Sequence, residues 1–111
     1  MNNFESAVED YLSDINEVQL KNSEPLPYVT LVVAKYAKNY VKLIKNNYDK
    51  KTMKDLNSGS VYGFIVKNPD DKMFKVGDIL KAQSFKAPAR NFPRGTIFDD
   101  FSYQPISAYG V

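Results

Sequence analysis

The chain of 111 residues contains no cysteine, no histidine and no tryptophan. The absence of cysteine excludes disulfide bonds and thiolate metal sites. The absence of histidine removes the commonest general base and the commonest metal ligand of proteins. No run approaches the length of about 18 apolar residues that a membrane helix needs, and the first residues are acidic before any apolar block. We therefore expect neither a membrane span nor a signal peptide.

Motifs of catalysis are also missing from the sequence. There is no glycine-rich phosphate loop, no GxSxG elbow and no zinc-ligand spacing. Asp70, Asp71 and Lys72 faintly resemble the carboxylate and lysine grouping of metal-dependent nucleases, but NPDDK is better interpreted as a turn between strands. Asp99 and Asp100 offer oxygen ligands, yet adjacent residues of a strand point to opposite faces. We predict that the protein is not an enzyme and that it has no cofactor and no metal site.

Length and composition predict one domain, because 111 residues with 43% hydrophobic content suffice for a single core. The formal charge of +2 conceals an asymmetry along the chain. Residues 1–24 hold six carboxylates against one lysine, whereas residues 25–98 hold fourteen lysines and arginines against five aspartates. We divide the domain 1–111 into an acidic N-terminal helix (1–22), a basic β-rich body (28–101) and a tail (102–111).

The helix is predicted from apolar residues that recur at spacings of three and four between Asn3 and Leu20. Asn2 with Glu5, or Asn3 with Ser6, provides the N-terminal cap. Asn22, Pro25 and Pro27 mark the linker that ends the helix. The apolar residues of this face are Phe4, Val8, Tyr11, Leu12, Ile15 and Val18.

The segment from Tyr28 to Ile44 is ambiguous. Its apolar residues fit one helical face, yet YVTLVV and YVKLI are rich in β-branched residues. We favour two strands, 28–35 and 40–46, joined by a turn at Lys38 and Asn39; the rival interpretation is one long helix. Asn47 to Ser58 is polar and rich in lysine, which predicts a mobile excursion between strands.

Further strands follow in the second half of the chain. In Ser60–Lys67, Tyr62, Phe64 and Val66 fall on one face of the expected strand, and Val61 and Ile65 fall on the other face with Gly63. A strand that is apolar on both faces is expected in the centre of a sheet. A turn at Gly77 leads into a strand that alternates as far as Phe85. Residues 87–94 should form an ordered loop with Arg94 at the tip of a tight turn, and 96–98 a short strand or a buried anchor. The tail should lie along the body.

These elements together predict an α+β fold. An N-terminal amphipathic helix packs on a small antiparallel sheet of four to five strands, and the sheet is either open or partly closed into a barrel.

Two segments carry a resemblance to a known family. SVYGFIV at Ser60–Val66 and GDILKAQSFKAPARNFPRGTIFD at Gly77–Asp99 resemble small uncharacterised proteins of tailed bacteriophages, whose pattern is an SVYGF strand, a GD[IV]LKA strand, an aromatic residue, a PA step, an RG turn and an IFD anchor. The resemblance covers roughly residues 38–101, with Phe85 where the family has tryptophan and Thr96 where it has asparagine. It implies a phage origin, in the host bacterial cytoplasm or in the virion, and it supplies no mechanism.

The body interleaves cations with aromatic residues, a combination that single-strand nucleic-acid binders use for phosphates and bases. If Lys42 and Lys81 lie on neighbouring strands and the loop from Lys86 to Arg94 folds over them, the cations converge on one surface. We predict non-catalytic nucleic-acid binding through this sheet and loop. The candidate residues are Lys42, Lys81, Lys86, Arg90, Arg94, Phe85 and Phe92, from a wider set that includes Lys35, Lys38, Lys45, Tyr36 and Tyr40.

Structural roles compete with this prediction. Most of the aromatic residues are needed for a small core, and alternating lysines keep an exposed sheet face soluble. Arg90 and Arg94 could bond backbone carbonyls or Asp99 and hold the loop closed. The acidic helix could dock on the basic sheet, exchange between copies in a homo-oligomer or engage a partner, or simply close the core. The alternative function is therefore a virion-associated or host-interaction protein that binds an acidic protein and has no nucleic-acid role.

Overall fold

The computed structural model describes residues 3–99 and 101–111. Its elements are α1 (Phe4–Ser23), β1 (Tyr28–Tyr36), β2 (Tyr40–Asp49), β3 (Ser60–Val66) and β4 (Ile79–Leu80). The strands pair antiparallel in the order β1-β2-β3-β4, and α1 packs against β1. The predicted α+β fold is confirmed. The sheet is open, because β1 and β4 do not pair with each other.

The predicted helix is present and is capped by Asn3, whose Oδ1 accepts a hydrogen bond from the amide of Ser6 at 2.7 Å. The alternative cap, Asn2, lies outside the described residues. The helix continues to Ser23, which is buried and donates its hydroxyl to the carbonyl of Gln19 at 2.8 Å. No helix within the described ranges combines the length and the hydropathy of a membrane-spanning segment.

The ambiguous segment after Tyr28 forms two strands, so the long-helix interpretation is wrong. The turn lies at Lys38 and Asn39, where the amide of Ala37 donates to the carbonyl of Tyr40 at 3.0 Å. β2 extends to Asp49, three residues beyond the predicted end. The β-branched residues therefore favour strands in this segment, because they pack well on the pleated surface of a sheet.

The sheet has a core on each face. Residues paired across antiparallel strands share a face, since side chains alternate along each strand. On the helix side, Val8 and Ile15 of α1 join a buried cluster with Val32, Leu43 and Ile65 of the sheet. On the opposite face, Phe64, Val66 and Leu80 pack with Phe74, which lies in the connection between β3 and β4. β3 is consequently buried on both faces, as its sequence predicted.

One strand face was predicted wrongly because of a β-bulge. Leu43 pairs with Gly63 and Ile44 with Val61, which leaves Tyr62 as an extra residue of β3. Tyr62 therefore belongs to the helix-side cluster instead of sharing a face with Phe64. Gly63 is required beside the bulge, because a Cβ atom there would lie 2.5 Å from Cγ2 of Val111.

The prediction of a mobile connection from Asn47 to Ser58 is wrong, because this polar segment is hydrogen-bonded to the sheet. Its first residues belong to β2, and Asp55 forms an isolated bridge with Tyr48. The buried Asn46 amide donates to Asp55 at 2.8 Å and accepts from the amide of Ser58 at 3.1 Å. This hydrogen bond from Asn46, followed by one from the amide of Asn57, lowers the pKa of Asp55.

The predicted strand from Gly77 to Phe85 is limited to the two residues of β4. Beyond Leu80 the chain turns back, and residues 87–96 run along the outer edge of β4. Ile97 is the buried anchor of this segment. The tail lies along the body as predicted: the amide of Val111 donates to the carbonyl of Tyr62 at 3.0 Å, and Nε2 of Gln19 donates to the carbonyl of Ala108 at 2.7 Å.

Candidate functional site

Lysines from two strands and a loop meet on the sheet face opposite α1. Lys35 on β1 pairs directly with Lys42 on β2, and Lys42 pairs in turn with Phe64 of the second core. Nζ of Lys42 lies 3.5 Å from the centroid of the Phe85 ring. Desolvation, followed by the positive charges of Lys35 and Lys86, lowers the pKa of Lys42. We call Lys35, Lys42, Phe85 and Lys86 the Lys42 cluster.

The turn that carries Phe85 and Lys86 is built by local hydrogen bonds. The amides of Gln83 and Ser84 both donate to the carbonyl of Ala87, at 3.0 and 3.1 Å. The Ser84 hydroxyl accepts from the amides of Lys86 and Ala87, at 3.3 and 3.2 Å. The turn therefore presents a phenyl ring that is 55% exposed next to an exposed lysine.

In the part of the chain that the structure describes, no carboxylate forms an ion pair with a lysine of the Lys42 cluster. Within residues 3–99 and 101–111, the ion pair found is that of Arg90 with Asp71. Like charges placed directly opposite on neighbouring strands are destabilising. The Lys35–Lys42 pair thus lowers the stability of the fold. The unneutralised lysines and the exposed ring of Phe85 are available to bind an anionic partner that has flat groups.

Arg90 serves as a clamp between loops. Its guanidinium binds the Asp71 carboxylate through two nitrogens, at 3.0 and 3.1 Å, donates to the Tyr40 hydroxyl and lies 5.0 Å from the centre of the Phe74 ring. Asp71 also accepts from the amides of Met73 and Phe74, both at 2.9 Å. Arg90 first, and these amides second, hold the pKa of Asp71 well below its usual range. NPDDK is therefore a turn, as predicted.

Arg94 lies on the helix side of the sheet, away from the Lys42 cluster. Its amide donates to the carbonyl of Ile79 at 2.7 Å, and the next residue, Gly95, has a φ of 137° that favours glycine. Its guanidinium stacks 4.1 Å from the centre of the Phe92 ring. No hydrogen bond to Asp99 or to a backbone carbonyl is formed by this side chain among the described residues, so the expected closure of the loop falls to Arg90.

The seven predicted residues thus fall into separate groups. Lys42, Phe85 and Lys86 come together. Arg90 lies on the same face of the sheet, where it donates a hydrogen bond to the Tyr40 hydroxyl. Lys81 is exposed after β4, and β3 separates it from Lys42, so these two lysines do not lie on neighbouring strands. The guanidinium of Arg94 stacks on the ring of Phe92, away from the Lys42 cluster. Lys35, which the wider set contained, joins the site, and strand register is the signal that places it there.

Comparisons with protein-family models, with curated proteins and with solved structures find no match to this chain. Nor do the described residues contain a group of three or more acidic side chains placed to hold a metal ion. The chemistry of the candidate site therefore has to be argued from its own geometry.

Proposed function

We propose that the protein binds single-stranded nucleic acid, without catalysis, through the Lys42 cluster. The observation that supports this proposal is the approach of Lys35, Lys42 and Lys86 to one another beside the exposed ring of Phe85. Ammonium groups attract backbone phosphates, and an exposed aromatic ring lets a base stack without sequence preference.

The position of the acidic helix is compatible with this proposal. α1 packs on the opposite face of the sheet, where its apolar residues close the core. Its carboxylates therefore do not neutralise the lysines of the Lys42 cluster. A phosphate that approaches the Lys42 cluster is attracted by its lysines, and the sheet separates that phosphate from the acidic side chains of α1.

A tailed-phage origin is part of the same proposal. It rests on the resemblance of residues 60–66 and 77–99 to small phage proteins, and it places the protein in the host cytoplasm or in the virion. Within the second segment, the turn that carries Phe85 supplies two of the four members of the Lys42 cluster.

Fluorescence anisotropy with labelled single- and double-stranded oligonucleotides at several salt concentrations tests the function. We expect tighter binding of the single strand. Three lysines that each neutralise a phosphate predict a slope of about −2 for the logarithm of the binding constant against that of the salt concentration. Binding that is undetectable, or that does not depend on salt, would contradict the proposal.

Two variants make the test specific to the cluster. Phe85→Ala should weaken single-strand binding by about tenfold or more, because it removes a stacking platform. Lys35→Gln should weaken binding while stabilising the fold by roughly 0.2–1 kcal/mol, because it removes a repulsive cross-strand pair. Lys72→Gln is the matched control, since it removes one charge from an exposed site outside the cluster. Equal weakening by Lys72→Gln would indicate that only net charge matters.

Exposed aromatic residues favour a second candidate function. Phe101 is 91% exposed and Tyr109 is 82% exposed. Aromatic side chains are enriched in protein interfaces, so a virion-associated or host-interaction role is the alternative. Co-purification with phage particles that Phe101→Ser abolishes and Phe85→Ala preserves would support it.

A further inference from the structure

A small cavity opens on the helix side of the sheet, between α1, β3, β4 and the tail. Its volume is about 220 Å³, and its walls include Tyr11 of α1, Tyr62 of β3, Ile79 of β4, and Arg94. Pockets for drug-sized ligands measure about 300–1,000 Å³. A group of only a few heavy atoms therefore suits this cavity.

Arg94 provides the charge of the cavity. Within residues 3–99 and 101–111, it is the one charged side chain that lines the cavity, and the other lining side chains carry hydroxyl, amide and apolar groups. Its Nε is buried and has no hydrogen-bond partner in the part of the chain that the structure describes. Leaving a buried donor of a charged group unpaired is costly, so an acceptor at this position would be stabilising.

Among the residues that the structure describes, no Asp or Glu side chain lines the cavity. Asp14 lies nearby, but it accepts a hydrogen bond from the hydroxyl of Tyr103 at 2.7 Å and is not a lining residue. The guanidinium is held in place by its contact with the Phe92 ring and by the backbone hydrogen bonds of Arg94 and Gly95 to Ile79.

A second donor comes from Tyr11. Burial, with a smaller effect of Tyr62, raises the pKa of the Tyr11 hydroxyl, so this group is protonated at neutral pH. Within the described residues it makes no hydrogen bond, whereas the neighbouring Tyr62 hydroxyl already donates to the carbonyl of Ser107 at 2.6 Å. The cavity thus combines one cation with a neutral hydroxyl donor.

We propose that this cavity binds a small oxyanion of the phosphate class, held by Nε of Arg94 and the hydroxyl of Tyr11. A guanidinium matches the geometry of phosphate oxygens and stays charged at every physiological pH. The site does not depend on the nucleic-acid proposal, because it lies on the other side of the sheet from the Lys42 cluster.

The test is an NMR titration of the full chain with inorganic phosphate at constant ionic strength. It follows the backbone amide resonances of the lining residues Tyr11, Tyr62 and Val111, which every variant retains, and also the Nε–H resonance of Arg94 where that residue is present. We expect a saturable shift, and a loss of affinity of about tenfold or more in Arg94→Gln, since a charge-assisted hydrogen bond is removed. Lys72→Gln controls for net charge, and Lys42→Gln separates this site from the nucleic-acid surface. Both should bind phosphate as the unchanged protein does.

A second variant and a second anion distinguish loss of the binding site from loss of the fold. Tyr11→Phe removes only the hydroxyl, so it tests the site even if Arg94→Gln does not fold, and it should also weaken phosphate binding. Acetate is titrated in parallel. The proposal is overturned if no saturable shift occurs, if Lys72→Gln weakens binding as much as Arg94→Gln, or if acetate binds and phosphate does not.

Discussion

Arg90 and Arg94 lie four positions apart in one loop, yet they face opposite sides of the sheet. Arg90 reaches Asp71 and Tyr40 on the face of the second core, while Arg94 enters the cavity beside Tyr11. The loop runs along the outer edge of β4 between them, and the two side chains leave this edge toward opposite faces. At the scale of the residue, surroundings decide the role. Arg90 is paired with a carboxylate and a hydroxyl, whereas Nε of Arg94 has no partner among the described residues.

The Arg90 clamp leads to a stability prediction. Arg90→Ala removes a bidentate ion pair, a hydrogen bond to Tyr40 and the contact with the Phe74 ring, and should lower the free energy of unfolding by about 1–2 kcal/mol. Urea denaturation followed by circular dichroism measures the change. Lys86→Ala in the same loop serves as the control and should leave the midpoint nearly unchanged. Equal midpoints for Arg90→Ala and the unchanged protein would show that the clamp contributes nothing.

Asp71 leads to a prediction about pH. Its folded pKa is lower than its unfolded value of about 4, so its contribution to stability is present above that value and is lost as the pH falls toward the folded pKa. Asp71→Asn lacks this contribution at every pH. We therefore expect the difference in unfolding free energy between the two proteins to be largest near neutral pH and to shrink below about pH 4.

Urea midpoints of both proteins across the acid range measure this difference. Asp49 and Asp55 also have lowered pKa values, but they titrate in both proteins and cancel from the comparison. A difference that stays constant from neutral to acid pH would contradict the assigned role of Asp71.

At the scale of the element, α1 protects the free edge of β1. The Asn16 side chain bonds both backbone groups of Val32: its Oδ1 accepts from the amide at 2.7 Å, and its Nδ2 donates to the carbonyl at 3.0 Å. At the last residue of α1, the hydroxyl of Ser23 accepts a hydrogen bond from the amide of Thr30 at 3.1 Å. Exposed strand edges promote aggregation, so these polar side chains replace a missing neighbouring strand.

Replacing Asn16 tests this protection. Asn16→Ala leaves two backbone groups of the buried Val32 without partners and should destabilise the fold by roughly 2 kcal/mol. Hydrogen exchange of the Val32 amide should accelerate beyond the change expected from global stability. Asn22→Ala, on an exposed position of the same helix, is the control. Unchanged exchange at Val32 in Asn16→Ala would show that the edge does not need this side chain.

At the scale of the whole molecule, the sheet separates two cores that are closed by different parts of the chain. The helix closes one, and the connection around Phe74 closes the other. The same arrangement separates the charges, since the acidic helix and the Lys42 cluster lie on opposite faces. The helix therefore closes one core without covering the proposed binding surface, which lies on the face of the second core.

Truncation of Ile15 tests the helix-side core. Ile15 is fully buried, and Ile15→Ala should cost about 2–5 kcal/mol because it leaves a cavity. Leu20→Ala, at a position that is 52% exposed on the same helix, should cost far less. Thermal unfolding of both variants provides the comparison. Similar losses for the two would mean that the helix packs on the sheet through another face.

Local patterns predicted the elements of this fold. The spacing of apolar residues predicts α1, β-branched density favours two strands after Tyr28, and the apolar run at Ser60 predicts a central strand. These signals act between near neighbours in the chain, so they can be interpreted without the fold. Tyr62 marks the limit, because a single extra residue in a bulge reverses the face of every position on one side of it.

What the sequence by itself determined is the fold class, the order of the elements and the supply of cations and aromatic rings. Only the tertiary structure decided which of these residues meet: strand register places Lys35 against Lys42, the turn after β4 brings Phe85 onto Lys42, and Asp71 engages Arg90 instead of Arg94. The physical reason is that secondary structure follows from local periodicity, whereas a site depends on contacts between residues far apart in the chain.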